Sequence, residues 1–151
     1  MKKILAPVFL SLLFFGVTSV TAGSPPAGEQ LSPEDTVSKY LKAMQEHRFE
    51  DAYDCVSSTL KAGKDRELWS KEQQYIVELG EVKIFGFKVY PARIVGDKAK
   101  VPNVLKSQDK FLNQLGLDEH EIYELIKEDG AWKIDQQSLV QGTERREYFG
   151  D

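Results

Sequence analysis

Tyr40 is the first residue to weigh for chemistry. A phenol on the inner stripe of a helix can donate to a developing oxyanion, and beside a carboxylate base it makes a proton-transfer site. The base would be sought on the strand-like run EVKIFGFKVY (81–90), which after Glu81 offers only Lys83 and Lys88. Tyr40 therefore reads as a core aromatic with its hydroxyl satisfied. The run DEHEIYE (118–124) surrounds His120 with acids, and H-E-x-x-E is one residue short of a zinc-binding H-E-x-x-H helix. It reads better as the start of a strand, where i and i+4 lack helical geometry, or as a solvated acidic loop. Cys55 and His47 could pair as nucleophile and base, but they fall on different predicted helices with no third group to orient them. Ser57 and Ser58 sit near a helix end and need no further role. No glycine-rich phosphate loop is present. The residues thus predict no catalytic group, no metal ligand and no cofactor.

The elements that hold these residues begin after a separate N-terminal segment. Lys2 and Lys3 precede the apolar run ILAPVFLSLLFFGV (4–17), and TSVTAG follows, with Val20 and Ala22 spaced as a signal-peptidase site requires. The run is short of the ~20 residues that span a bilayer. Residues 1–22 are read as a cleaved secretory signal, cut after Ala22, with an uncleaved anchor as the alternative. The destination is the periplasm or the exterior. No cysteine follows the cleavage point to carry a lipid. Losing Lys2 and Lys3 takes the formal charge from −4 to −6, which disfavours nucleic acid and anionic lipid headgroups as partners. Cys55 is the only cysteine, so no internal disulfide forms. Its thiol is either buried and inert or pairs between chains.

Residues 23–31, GSPPAGEQL, read as a flexible or polyproline-like leader. Ser32, Pro33, Glu34 and Asp35 are a helix start, and Val37, Tyr40, Leu41 and Met44 follow as one apolar stripe. A second helix is expected over FEDAYDCVSSTL (49–60), with Phe49, Ala52, Tyr53, Val56 and Leu60 on one face and Cys55 on its flank. A third is expected over about 66–79, with Leu68, Trp69, Tyr75, Ile76 and Leu79 as its stripe and Gly80 as its stop.

The period then changes from 3.6 to 2. Both faces of 81–90 are largely apolar: Val82, Ile84, Gly86 and Tyr90 on one, Phe85, Phe87 and Val89 on the other. Something must cover each face, helices on one side and a second subunit on the other. Residues 92–95 and 98–105 form a hairpin turned by Gly96-Asp97, and Pro102 suggests an edge or a bulge. Residues 106–117 are open between a helical turn holding Phe111, Leu112 and Leu115 and a loop over a pocket mouth. A last hairpin, 122–127 and 132–136, turns at Glu128-Asp129-Gly130. Its Trp132 and Ile134 close the sheet, while Glu121 and Asp135 are expected to face solvent. Residues 141–151 read as a loose tail. Helices followed by strands predict one α+β domain, 32–140, with N-terminal helices packed in a strongly curved antiparallel sheet.

The stretches SPEDTVSKYLKAMQEHRFEDAYDCVS, VGDKAKV and LIKEDGAWKID together resemble the nuclear transport factor 2-like superfamily over roughly residues 32–138, and most of all its small secreted bacterial members. The resemblance implies a cone, with a cavity at its open end. Tyr40, Trp69, Tyr75, Phe85, Phe87, Tyr123 and Trp132 are then the candidates to line a pocket for a small apolar ligand. Because such folds host many activities, the resemblance leaves two functions open. One is a non-catalytic binding or assembly module of the envelope, with an envelope protein or a second copy joined through the sheet as partner. The other is an acid–base enzyme of isomerase or dehydratase type, which needs a carboxylate or histidine beside Tyr40.

Overall fold

Ser32 starts the first helix as its residue type demands. Its hydroxyl oxygen accepts the Asp35 N–H at 3.0 Å, and Pro33 follows where an N–H would have no partner. In this computed structural model, which describes residues 30–150, α1 runs Pro33–Gln45 and buries Val37 and Leu41 on its stripe. The expected signal segment and the leader up to residue 29 lie outside the described residues.

The second helix is not continuous. It divides into α2 (Phe49–Tyr53) and α3 (Ser58–Lys61), because the sheet edge takes the backbone between them. The Ser57 N–H donates to the Ile134 carbonyl and the Ile134 N–H to the Cys55 carbonyl, both at 2.8 Å. These bonds replace helical ones with tertiary ones. Ser57 then serves as the N-cap of α3, accepting the Leu60 N–H.

Helix α4 (Arg66–Gly80) forms where expected, yet its stripe does not pack as expected. Trp69 is buried, edge-on to Tyr53 at 5.8 Å, whereas Leu68, Tyr75, Ile76 and Leu79 are between 47% and 63% exposed. The helix rests mainly on the short α2 and leaves this flank uncovered.

Five antiparallel strands complete the domain: β1 (Lys83–Val89), β2 (Arg93–Val95), β3 (Lys98–Gln108), β4 (Asp118–Glu128) and β5 (Ala131–Leu139). Their order is β1-β3-β4-β5, with β2 paired to the first residues of β3 beyond the end of β1. The sheet is open. Irregularities between Ile84 and Gly86, and between Glu124 and Leu125, bend it. The first also resets the faces of β1: Ile84, Phe87 and Val89 pack toward the core, and Phe85 is left 60% exposed.

Pro102 lies inside the central strand β3, not on an edge. Its carbonyl accepts the Tyr90 N–H at 2.9 Å, so its imino nitrogen points to the same side, at the junction between β1 and β2. The missing N–H costs only the reciprocal bond to Tyr90, just past the last pair of the β1 ladder.

The inner face carries Ala99, Val101, Tyr123, Leu125 and Ile134 against Val37 and Leu41 of α1. The outer face carries buried Pro102 and Ile122. The tail expected to be loose forms α5 (Gly142–Phe149) and lies on that face. Phe149 packs edge-on against Tyr90 at 5.2 Å and His120 at 4.8 Å. Arg93 pairs with Glu147 at 2.6 Å and lies over the Tyr148 ring. The second cover that the apolar strands require is thus supplied in part by the chain itself.

Candidate functional site

Strand alternation puts Asn103 and Glu121 opposite each other on the inner face, one pleat from Val101 and Tyr123. The prediction that Glu121 faces solvent is corrected: a strand that turns Tyr123 and Leu125 inward must turn Glu121 inward too, and it is 3% exposed. Its Oε2 accepts from Asn103 Nδ2 at 3.0 Å and its Oε1 from Gln137 Nε2 at 2.7 Å. Asp135, also expected in solvent, is half-buried and accepts the Ser57 hydroxyl at 2.7 Å.

Tyr40 joins this cluster from α1, its ring meeting Tyr123 edge-on at 6.1 Å. Burial, and after it the Glu121 charge, pushes the Tyr40 phenol up to about 12. The same causes raise Tyr123 well above its ordinary value. Burial also raises Glu121, against the opposing pull of its Gln137 and Asn103 hydrogen bonds. Two phenols that keep their protons and a carboxyl biased toward holding one make a proton-bearing cluster. One acceptor in it is spare: Asn103 Oδ1 is buried without a hydrogen-bond partner among the described residues.

The other pocket candidates separate. Phe87 and Trp132 pack beside Tyr40 around a core that includes Trp69 and Tyr123. Tyr75 and Phe85 stand outside it, 63% and 60% exposed. His47 stacks on Phe49 at 5.7 Å, while Cys55 is buried with its Sγ 3.7 Å from the Asp51 carbonyl, so each is engaged elsewhere. Burial holds the Cys55 thiol above its usual range. His120 packs against α5 on the outer face and Glu121 points inward, which splits the H-E-x-x-E pattern across the sheet.

A second feature lies at the end of the sheet. Residues 109–117 form a loop whose polar side chains are used on its own backbone. Asp109 accepts the N–H groups of Phe111 and Leu112, each at 2.7 Å, and of Asn113 at 3.0 Å. These bonds, led by that from Leu112, hold the Asp109 carboxyl below the usual range. Asn113 Nδ2 donates to the Ser107 and Leu117 carbonyls, and its Oδ1 accepts the Leu117 N–H. Gly116 supplies the positive φ of the final turn, +67°. The Lys110 N–H donates to the Gly80 carbonyl at 2.9 Å and ties the loop to the end of α4. So braced, the loop presents Phe111, Leu112, Leu115 and Leu117 to solvent, with Leu112 91% and Leu115 82% exposed. A cleft of about 490 Å³ separates it from the end of β5, with Leu112, Leu117 and Leu139 as apolar walls and Glu119 within it.

The sequence places Glu121 in solvent and leaves 106–117 open between a helical turn and a loop over a pocket mouth; the loop forms. The period-2 pattern through Tyr123 could have found Glu121. The loop carried a signal in the spacing of Asp109, Asn113 and Gly116 among large apolar residues.

No family model matches the chain, and no curated protein matches it in sequence. Solved structures do match in fold. A SEC-C motif containing protein from Rhodopseudomonas palustris aligns with a TM-score of 0.56 at 15% identity, over 73% of this chain and 80% of that one. A domain of unknown function with a cystatin-like fold from Nostoc punctiforme gives 0.53 at 16%, over 78% and 81%. An NTF2-like protein from Cytophaga hutchinsonii gives 0.50 at 17%, over 72% and 93%. The chain has the nuclear transport factor 2-like α+β fold.

Proposed function

We propose that this protein is an exported, non-catalytic binding or assembly module of the bacterial envelope. Its partner is an envelope protein that offers an apolar socket to the 109–117 loop. The observation that carries this reading is the bracing of that loop. Three N–H groups on Asp109 and three bonds through Asn113 hold four large apolar side chains out in water. Exposed apolar groups fixed in one conformation lose little further entropy on docking. Leu112 and Leu115 project as knobs, and knobs require a concave partner. The exposed flank of α4 continues from the loop through Gly80. The export part of the reading is supported by the pattern of residues 1–22, and its destination would be the periplasm or the exterior.

Native mass spectrometry of protein from its own exported fraction tests both parts. The expected chain begins at Gly23 and carries an added polypeptide mass, which the Leu112→Asp, Leu115→Asp double variant loses. A bare monomer in both samples refutes the docking reading. An added mass equal to a second copy, unaffected by the double variant, would favour a dimer through the outer sheet face, beside or in place of α5.

One observation favours a second reading. An acid–base enzyme of isomerase or dehydratase type needs a carboxylate near Tyr40, and Glu121, in the same cluster through Tyr123, offers one. Against it stands access, since Glu121 and Asn103 are 3% and 0% exposed and a base must reach its substrate. Ring opening of 5-nitrobenzisoxazole, a general-base probe, discriminates. The module reading expects the buffer rate from wild type. A faster rate lost in Glu121→Gln would establish the enzyme.

A further inference from the structure

The outer face of the sheet holds a groove of about 410 Å³ beside α5, at the β2–β3 end. Val95 and Ile126 supply apolar surface, and the Tyr148 ring of α5 forms one wall. Arg93 fixes that wall, stacking on Tyr148 at 4.0 Å while it donates to the Glu147 carboxylate and carbonyl at 2.6 and 2.8 Å. Phe149, held between Tyr90 and His120, anchors the same helix.

Three cations line this groove in a chain of formal charge −4: Arg93, Lys98 and Lys100. Internal pairing accounts for two of them. Lys100 bonds Glu124 at 3.2 Å, and Arg93 bonds Glu147. The remaining acid, Asp135, accepts the Ser57 hydroxyl. The Lys98 side chain has no ion-pair or hydrogen-bond partner among the described residues, although Glu124 and Asp135 line the same groove, so its ammonium is the lining cation left to meet an outside anion. The volume falls in the range of small-molecule sites, roughly 300–1,000 Å³.

We propose that this groove binds an amphiphilic anion, a medium-chain or aromatic carboxylate, with its apolar part on Val95, Ile126 and Tyr148 and its carboxylate on Lys98. The site is on the face opposite the Tyr40–Glu121 cluster and does not depend on the 109–117 loop. It needs α5 in place, because Tyr148 is its wall.

Isothermal titration calorimetry of the full processed chain with decanoate, kept below its micellar range, tests the proposal. Decyltrimethylammonium, with the same tail and the opposite charge, is the comparison. Decanoate should bind at a single site and decyltrimethylammonium should not. Lys98→Glu should weaken decanoate about tenfold or more. Ile126→Asp should abolish measurable binding, and Tyr148→Ala should weaken it with the fold retained by circular dichroism. Leu112→Asp should leave it unchanged, which keeps this site separable from the loop. Equal binding of both amphiphiles, no binding of decanoate, or an affinity untouched by Lys98→Glu would overturn the proposal. So would loss of binding in Leu112→Asp, which would move the ligand to the loop.

Discussion

Asn103 and Glu121 face each other across β3 and β4, both buried, and their one hydrogen bond of 3.0 Å leaves Asn103 Oδ1 without a donor among the described residues. A carboxyl in that position is held by two amide donors yet stripped of water. Stripping wins, and the folded state favours the protonated acid more than the unfolded chain does.

The sign of the pH effect follows. A folded-state pKa above the unfolded one means that the native protein binds the extra proton. The stability from Glu121 is fully present below the ordinary carboxyl range and is lost as pH rises through the raised folded value. Glu121→Gln removes the titration and retains an acceptor. Urea midpoints measured from about pH 4 to pH 7 should show wild type losing ground to Glu121→Gln as pH rises. Parallel curves for the two proteins would contradict this account.

Tyr40 extends the same cluster at alkaline pH. Its phenol is raised from the ordinary 10.0 to about 12, so its contribution is complete below the unfolded value and declines between the two. In an ultraviolet titration, the tyrosinate step absent from Tyr40→Phe should fall near pH 12 or coincide with alkaline unfolding. A Tyr40 step at the ordinary value would mean that the phenol is not buried in solution.

The fold was legible wherever local chemistry and tertiary packing agree. Ser32-Pro33, Gly96-Asp97 and Asp129-Gly130 mark a helix start and two turns by residue type alone, and each forms. The misses have tertiary causes. Helicity through 54–57 yields to the Ile134 edge, which offers Cys55 and Ser57 better backbone partners. Nothing periodic announces α5, because one residue, Phe149, lodges it between Tyr90 and His120. The stripe of α4 is a true helical pattern, but periodicity shows that a face is apolar without showing what covers it. The site was the least legible part. Glu121 shares the inward period of Tyr123 and Leu125, yet an acid reads as solvent-facing until Asn103 and Gln137 are seen to bond it.

The 109–117 loop makes its own prediction through Asp109. Asp109→Ala removes the acceptor for three N–H groups, a loss comparable to deleting a helix N-cap, about 1 kcal/mol. Hydrogen exchange at Phe111, Leu112 and Asn113 should accelerate, while amides of β3 and β4 keep their protection. Asp109→Asn, which keeps one acceptor oxygen, should fall between. Because the Asp109 carboxyl is held low, its contribution is present above the ordinary range and lost as pH falls through the folded value. Unchanged exchange in Asp109→Ala would show that Asn113 alone braces the loop.

Helix α5 depends on aromatic edges more than on its own sequence. It buries no residue fully and has no side-chain cap, so Phe149 and the Arg93 contacts hold it. Each edge-to-face pair is worth roughly 0.5–1.5 kcal/mol, enough to tip a short helix that is not stable alone. Phe149→Ala should therefore release α5 without unfolding the sheet. Trypsin reports this directly, since Arg145 and Arg146 lie within the helix. Cleavage there should be slow in wild type and fast in Phe149→Ala, with the β-sheet circular dichroism unchanged. Equal rates would mean that Arg93 is sufficient. Arg93→Ala, which also removes the support of Tyr148, then becomes the variant that opens the outer face.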